Sequence, residues 1–408
     1  MIKSFILFSL LSNPTVLLDV TIHHPDGRIQ KDTNLVFDAK QIISIGEDIP
    51  KLRGLTKIDA KGQILIPGLV ESVSQLGLTE VGMVDSSNDY SVESEAISRP
   101  LFDPSYAFNP LSTRIPINRR GGVTHIVVAP RGAILSGIAR TALLTGSLED
   151  RPKLRPEVAL FARATSRAAR QLGGSRAEIW RYLDEVVRDA RYAAKNARVL
   201  SRGEGRELVL APDELAVVSR VLNRSLPLVV EAHQANDILN ALDFAKRHRI
   251  RLIINGGSEA WLVRKELSDA GAPVIIYPSQ TEPWGFEAIG SRDDLAAMLV
   301  SSGVPVIISA GGWDQNARRL RQEAGIAVSY GMPKAAALAA ITTTPATYFG
   351  LASEVGKIAV GKPATFGLYS ADPFELDTAL LGLWINGNAQ SLEDRQRALA
   401  KRYLDPKD

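Results

Sequence analysis

Apolar and polar positions change in short runs over the first part of the chain. Residues 15–22, 33–37, 42–45 and 63–66 read as β-strands, divided by turn residues at Pro25-Asp26-Gly27 and Ala60-Lys61-Gly62. They predict a small antiparallel sheet. Runs of the same kind return near the end, where Gly356-Lys357-Ile358 and Gly361-Lys362-Pro363 lead into 365–369 and then 383–386. Because chain termini often lie close together, the two ends are expected to pair into one domain. The middle has another rhythm. Apolar runs at 124–129, 226–231, 251–255, 273–277 and 304–309 alternate with helical patterns at 176–198, 235–247, 259–270, 291–301 and 333–341. In the first of these helices Ile179, Leu183, Val186 and Val187 recur at helical spacing, a stripe for core packing.

Repeated strand–helix alternation predicts an α/β fold: a TIM-type (β/α)8 barrel with a composite β-sandwich built from both chain ends. The expected division is a signal segment at 1–14, the composite domain at 15–66 and 350–395, the barrel at 67–349, and a tail at 396–408. A barrel carries its chemistry at the C-terminal strand ends, so the site is sought there. Residues 84–113 have few helical signals and read as a long loop over the mouth.

Composition narrows the chemistry. No cysteine is present, which excludes disulfides, thiolate metal sites and cysteine nucleophiles. A net charge of +3 gives no pull toward nucleic acid. The arginines between 163 and 206 are interspersed with acidic residues and read as a solvated helix face. One lysine before the apolar run 5–11 predicts an export signal, and so a periplasmic or secreted protein, with the cytoplasm as second choice. That run is too short for an integral membrane segment.

The stretch Ile58-Asp59-Ala60-Lys61-Gly62-Gln63-Ile64-Leu65-Ile66-Pro67-Gly68-Leu69-Val70-Glu71 resembles the motif by which amidohydrolase-superfamily proteins pass from their β-domain into barrel strand 1. The late segments 316–320, 323–325, 337–345 and 356–362 are similar to that superfamily's final strand, helices and return to the sheet, with the imidazolonepropionase-like branch the nearest match. The resemblance covers residues 15–390. It implies metal-dependent hydrolysis of carbon–nitrogen bonds, with a His-x-His pair on strand 1, histidines on strands 5 and 6, and an aspartate on strand 8. Here those positions carry Val73 and Gln75, Glu231, Gly256, and Ala310. Valine, glycine and alanine side chains donate nothing to a metal, and glutamine is a weak neutral ligand.

The chain is therefore expected to bind no cofactor or metal. Restoring His at 73, 75 and 256 and Asp at 310 is expected to recover metal binding. No catalytic residue is assigned; Glu231, with a raised pKa, and Glu71 are candidates for an acid/base pair, against plainer roles for both. Gln75, Glu231, His233, Asn255, Ser309, Trp313 and Asp314 are expected around an open pocket for a small polar ligand. Asn236 or Asp237 is read as a helix N-cap, His125 as a packed strand residue, and His23 and His24 as exposed. Three readings stay open: a pseudo-hydrolase that binds a ligand or serves an active amidohydrolase paralogue or homo-oligomer; an active hydrolase with an atypical site; and a periplasmic small-molecule binder.

Overall fold

The computed structural model describes residues 13–91, 96–151, 155–311 and 315–404. All but two residues of the expected signal segment, and the candidates Trp313 and Asp314, lie outside the described residues. Sixteen strands follow one another: β1 (Thr15–His23), β2 (Ile29–Phe37), β3 (Ile42–Gly46), β4 (Thr56–Asp59), β5 (Ile64–Pro67), β6 (Leu69–Ser74), β7 (Val123–Val128), β8 (Leu135–Leu143), β9 (Glu157–Arg163), β10 (Leu228–Ala232), β11 (Leu252–Gly256), β12 (Val274–Ile276), β13 (Val306–Ile308), β14 (Phe366–Tyr369), β15 (Leu380–Ile385) and β16 (Asn388–Ala389).

Strands from both ends form one sheet in the order β16-β15-β14-β5-β1-β2-β3, with β4 beside β1. The junction is the antiparallel pairing of β14 with β5, from Phe366↔Pro67 to Tyr369↔Ile64. Phe37 on β2 meets Phe366 on β14 edge-on at 5.1 Å and Trp384 on β15 at 5.8 Å. These strands are not neighbours in the sheet, so the sheet curls until its apolar face closes on itself. The ends thus share a single curled sheet, held by the burial of Leu17, Leu35, Phe37, Leu65 and Phe366.

The second sheet runs β6-β7-β8-β9-β10-β11-β12-β13 and is nearly closed: β13 lies beside β6, with no ladder between them. The expectation of an all-parallel barrel fails at β8, which runs antiparallel to both β7 and β9. Residues 129–134 are too few for the crossover of about a dozen residues that a parallel return needs, so β7 can only fold back on itself. Residues 97–102 run along β8, where Arg99 N–H donates to Leu135 O at 2.8 Å and Ile134 N–H to Ile97 O at 2.8 Å.

Side-chain alternation sorts the barrel strands into two cores. Val127, Phe161, Val229, Ile253, Ile275 and Ile307 point inward and fill the barrel with Phe349 and Leu351. Val128, Ala162, Val230, Ile254, Ile276 and Ile308 point outward to the helices. Sheet and barrel are tied where Gly68 N–H donates to Thr365 O at 3.1 Å. Gly122, at φ +88°, admits no side chain, because a Cβ there would lie 2.0 Å from the buried Tyr369 hydroxyl.

Candidate functional site at the barrel mouth

Each inward strand can be followed two residues past its packed position. Beyond Phe161, Val229, Ile253, Ile275 and Ile307 come Arg163, Glu231, Asn255, Tyr277 and Ser309. Period-two alternation therefore delivers five polar side chains to one end of the barrel. Gly256 and Ala310 have the opposite parity, and Ala310 packs in the outer core.

Glu231 and Arg163, neighbours on paired strands, form a salt bridge at 2.8 Å. Burial opposes the Glu231 charge, but Arg163, Arg131 and His233 outweigh it and hold the carboxyl below its usual range. This reverses the expected raised pKa and gives Glu231 its plainer role. Asn255 accepts from the Tyr277 hydroxyl at 2.5 Å. His233 Nδ1 lies 3.0 Å from Ser258 Oγ, its ring stands edge-on to Trp284 at 5.1 Å, and burial lowers its pKa.

Gly256 lies directly under that ring. A Cβ at 256, where φ is +100°, would fall 2.4 Å from His233 Cε1. The imidazole of His233 thus occupies the space a side chain at 256 would need. This opposes the expected rescue by histidine at 256: the His233 ring would have to shift and the backbone would be strained.

Glu71 faces the open seam of the barrel. One carboxylate oxygen accepts from the Ser309 hydroxyl and from Val73 N–H at 3.1 Å, and the other from Ala310 N–H at 2.9 Å. It thereby bridges β6 to the end of β13, where the ladder is missing. Burial pushes its pKa up to about 7 against these three donors. With its oxygens committed, Glu71 braces the wall and does not pair with Glu231. Gln75 is buried, its amide nitrogen without a partner, and Ser309 is fully buried. Neither lines the cavity, although both were expected on its rim.

The cavity measures about 900 Å³ and is lined by Val73, Glu231, His233, Asn255, Gly256, Tyr277 and Trp284. Its wall also carries Arg131, Arg163, Arg167, Arg170 and Arg292, which the sequence reading missed. Three of these stand in the stretch taken for a solvated helix face, but the helix Arg176–Lys195 begins only after them. Recognising β9 would have placed Arg163 at a strand end. A second cavity of about 840 Å³ lies at the opposite, N-terminal ends of β10 and β11, among Pro227, Leu242, Arg251 and Leu252. Barrel chemistry belongs at the C-terminal ends, so the first cavity is the candidate.

Other expected roles settle locally. The helix Ala235–His248 has Gln234 at its N-cap with no side-chain bond; Glu259 instead accepts from Ala235 N–H at 2.9 Å. Asp237 is buried inside that helix, 3.4 Å from Arg176, with burial raising its pKa to about 6. His125 is fully buried in β7, where burial and then Arg155 lower its pKa to about 3. His24, expected exposed, is buried under Arg28.

The amidohydrolase family model matches residues 292–390. Amidohydrolase tasK of Hapsidospora irregularis is 24% identical over 365 residues, 81% of this chain; the chain spans only 37% of that protein. An amidohydrolase from Thermotoga maritima has the same fold at TM-score 0.81 and 22% identity, over 92% of this chain and 99% of that one. Together these likenesses support assignment to the amidohydrolase superfamily. Ochratoxinase of A. niger has the fold less closely, at TM-score 0.54 and 16% identity, over 93% of this chain and 95% of that one.

A metal-dependent amidohydrolase needs several N or O donors converging on one point. Among the described residues no group of three or more His, Asp or Glu side chains is placed to hold an ion. Val73, Gly256 and Ala310 bring no donor, Gln75 is buried and does not line the cavity, and Glu231 is engaged by Arg163. The residues present do not fit a binuclear metal centre.

Proposed function

We propose that this amidohydrolase-superfamily protein has given up metal-dependent hydrolysis and uses the cavity at its strand ends to bind a small polar ligand. It acts alone or as the non-catalytic partner of an active paralogue. The observation that carries this reading is the occupation of the former ligand positions. His233 fills the space above Gly256, and Arg163 pairs with the one carboxylate, Glu231, in the position of a metal ligand.

The competing reading is an active carbon–nitrogen hydrolase that uses Glu71 and Glu231 as acid and base. It is opposed by geometry, since Glu71 is turned into the wall and Glu231 is held ionised by arginine. The test is an assay of the purified protein on N-acyl amino acids and aryl amides, with zinc, manganese and iron(II) supplied in turn. No turnover above buffer is expected under any condition. Metal-stimulated turnover that is lost in a His233→Ala variant would overturn the reading.

A further inference from the structure

We infer that the cavity at the barrel mouth selects organic carboxylates: its ligand carries an anionic group for the arginine wall and a flat apolar part for Trp284 and Tyr277. This rests on the reading of the cavity as a binding site and names the class of ligand it takes.

Several charges at the cavity are already paired. Among the acidic groups at the cavity, Glu231 is bound to Arg163, and Glu287 accepts from Ser166 N–H at 2.6 Å and lies 3.4 Å from Arg176. Asp293 accepts from the Thr281 hydroxyl at 2.6 Å. Arg292 is held by Asp294 through two bonds of 2.8 Å and stacks over Trp261. Arg131, Arg167 and Arg170 line the same cavity, are exposed, and have no side-chain partner among the described residues. Against them stand two exposed acids without a cationic partner among the described residues, Glu282 and Asp293. The unspent charge of the wall is therefore positive.

The placement of Arg131 is the most telling. It follows the end of β7, and its charge acts on both Glu231 and Tyr277 across the mouth. A guanidinium offers a planar fork that matches a carboxylate with two parallel hydrogen bonds. The same cavity also offers aromatic surface: the Trp284 ring stands edge-on to His233, and Tyr277 donates its hydroxyl to Asn255. A volume of about 900 Å³ falls in the range of pockets for small organic molecules. A carboxylate among the arginines, with its attached ring toward Trp284, satisfies both halves.

The experiment is calorimetric titration of the whole protein with hippurate and with its uncharged relative N-methylbenzamide, at low and at physiological salt. Hippurate is expected to bind at least about tenfold more tightly, with the difference shrinking as salt rises. Arg131→Gln and the double variant Arg167→Gln/Arg170→Gln should each remove most of that preference while leaving N-methylbenzamide unchanged. Equal affinity for the two probes, a preference untouched by both variants, or binding of neither probe would overturn the inference. Hydrolysis of hippurate, by contrast, would refute the non-catalytic reading while leaving carboxylate selection standing.

Discussion

The seam of the barrel and the rim of its cavity treat charge in opposite ways. At the seam, the single buried carboxylate of Glu71 is met by three donors from two strands. At the rim, Arg131, Arg167 and Arg170 stand in a concave wall without side-chain partners among the described residues. Where the fold needs only to hold together, polar groups are satisfied from within, because an unsatisfied buried group is costly. Exposed guanidiniums around a cavity are satisfied by water and can exchange it for an anionic ligand. The Arg163–Glu231 pair lies between these extremes, partly buried and internally matched.

Three substitutions break this comparison at successive levels, and the largest effect belongs to the seam. Glu71→Ala strips acceptors from Ser309 Oγ and Ala310 N–H at a seam without ladder bonds. At pH 5 it should lower unfolding free energy by about 3 kcal/mol in urea titration. Glu71 also dictates a pH dependence. In the folded protein it keeps its proton to about pH 7, whereas the unfolded side chain ionises near 4.5. Its stability contribution is therefore full below about pH 4.5, declines as pH rises, and is lost above about 7, a fall of roughly 3 kcal/mol. Glu71→Gln should flatten the unfolding curve across that window; a slope unchanged from wild type would show that Glu71 is ionised throughout.

The middle level is Arg163→Gln, which leaves Glu231 charged and partly buried without its partner. A loss of about 2 kcal/mol at pH 7 is expected. Adding Glu231→Gln should recover part of it, and a double-mutant cycle in thermal or urea unfolding measures the coupling. The rim comes last. Arg167→Gln should change stability by no more than about 0.5 kcal/mol, since it removes an exposed charge with no internal partner. A larger loss would mean that the rim, too, is part of the scaffold.

Much of this arrangement was legible in the sequence, and the gaps have physical causes. Turn residues and short alternating runs at both ends identified strands that share one sheet, although not that the sheet curls on its aromatic core. The motif around Pro67-Gly68 located β6 and with it Val73. The strand β8, Leu-Ser-Gly-Ile-Ala-Arg-Thr-Ala-Leu, escaped because all its residues but Arg140 are buried and no alternation survives. Arg140 itself is matched by Asp103 and Glu157, partners distant in sequence. Missing β9 hid Arg163, and with it the basic wall. The obstruction of residue 256 by His233 depends on a positive φ and a ring position, which no motif encodes.

The central claim is that this amidohydrolase scaffold holds no metal centre. Its most direct test is elemental analysis of the native protein, purified without chelator and then incubated with zinc, manganese or iron(II) and desalted. The donor set at Val73, Gln75, Glu231, Gly256 and Ala310 predicts far less than one ion per chain in every sample. One or two ions per chain that survive desalting, and depart when His233 or Glu231 is replaced, would contradict the account.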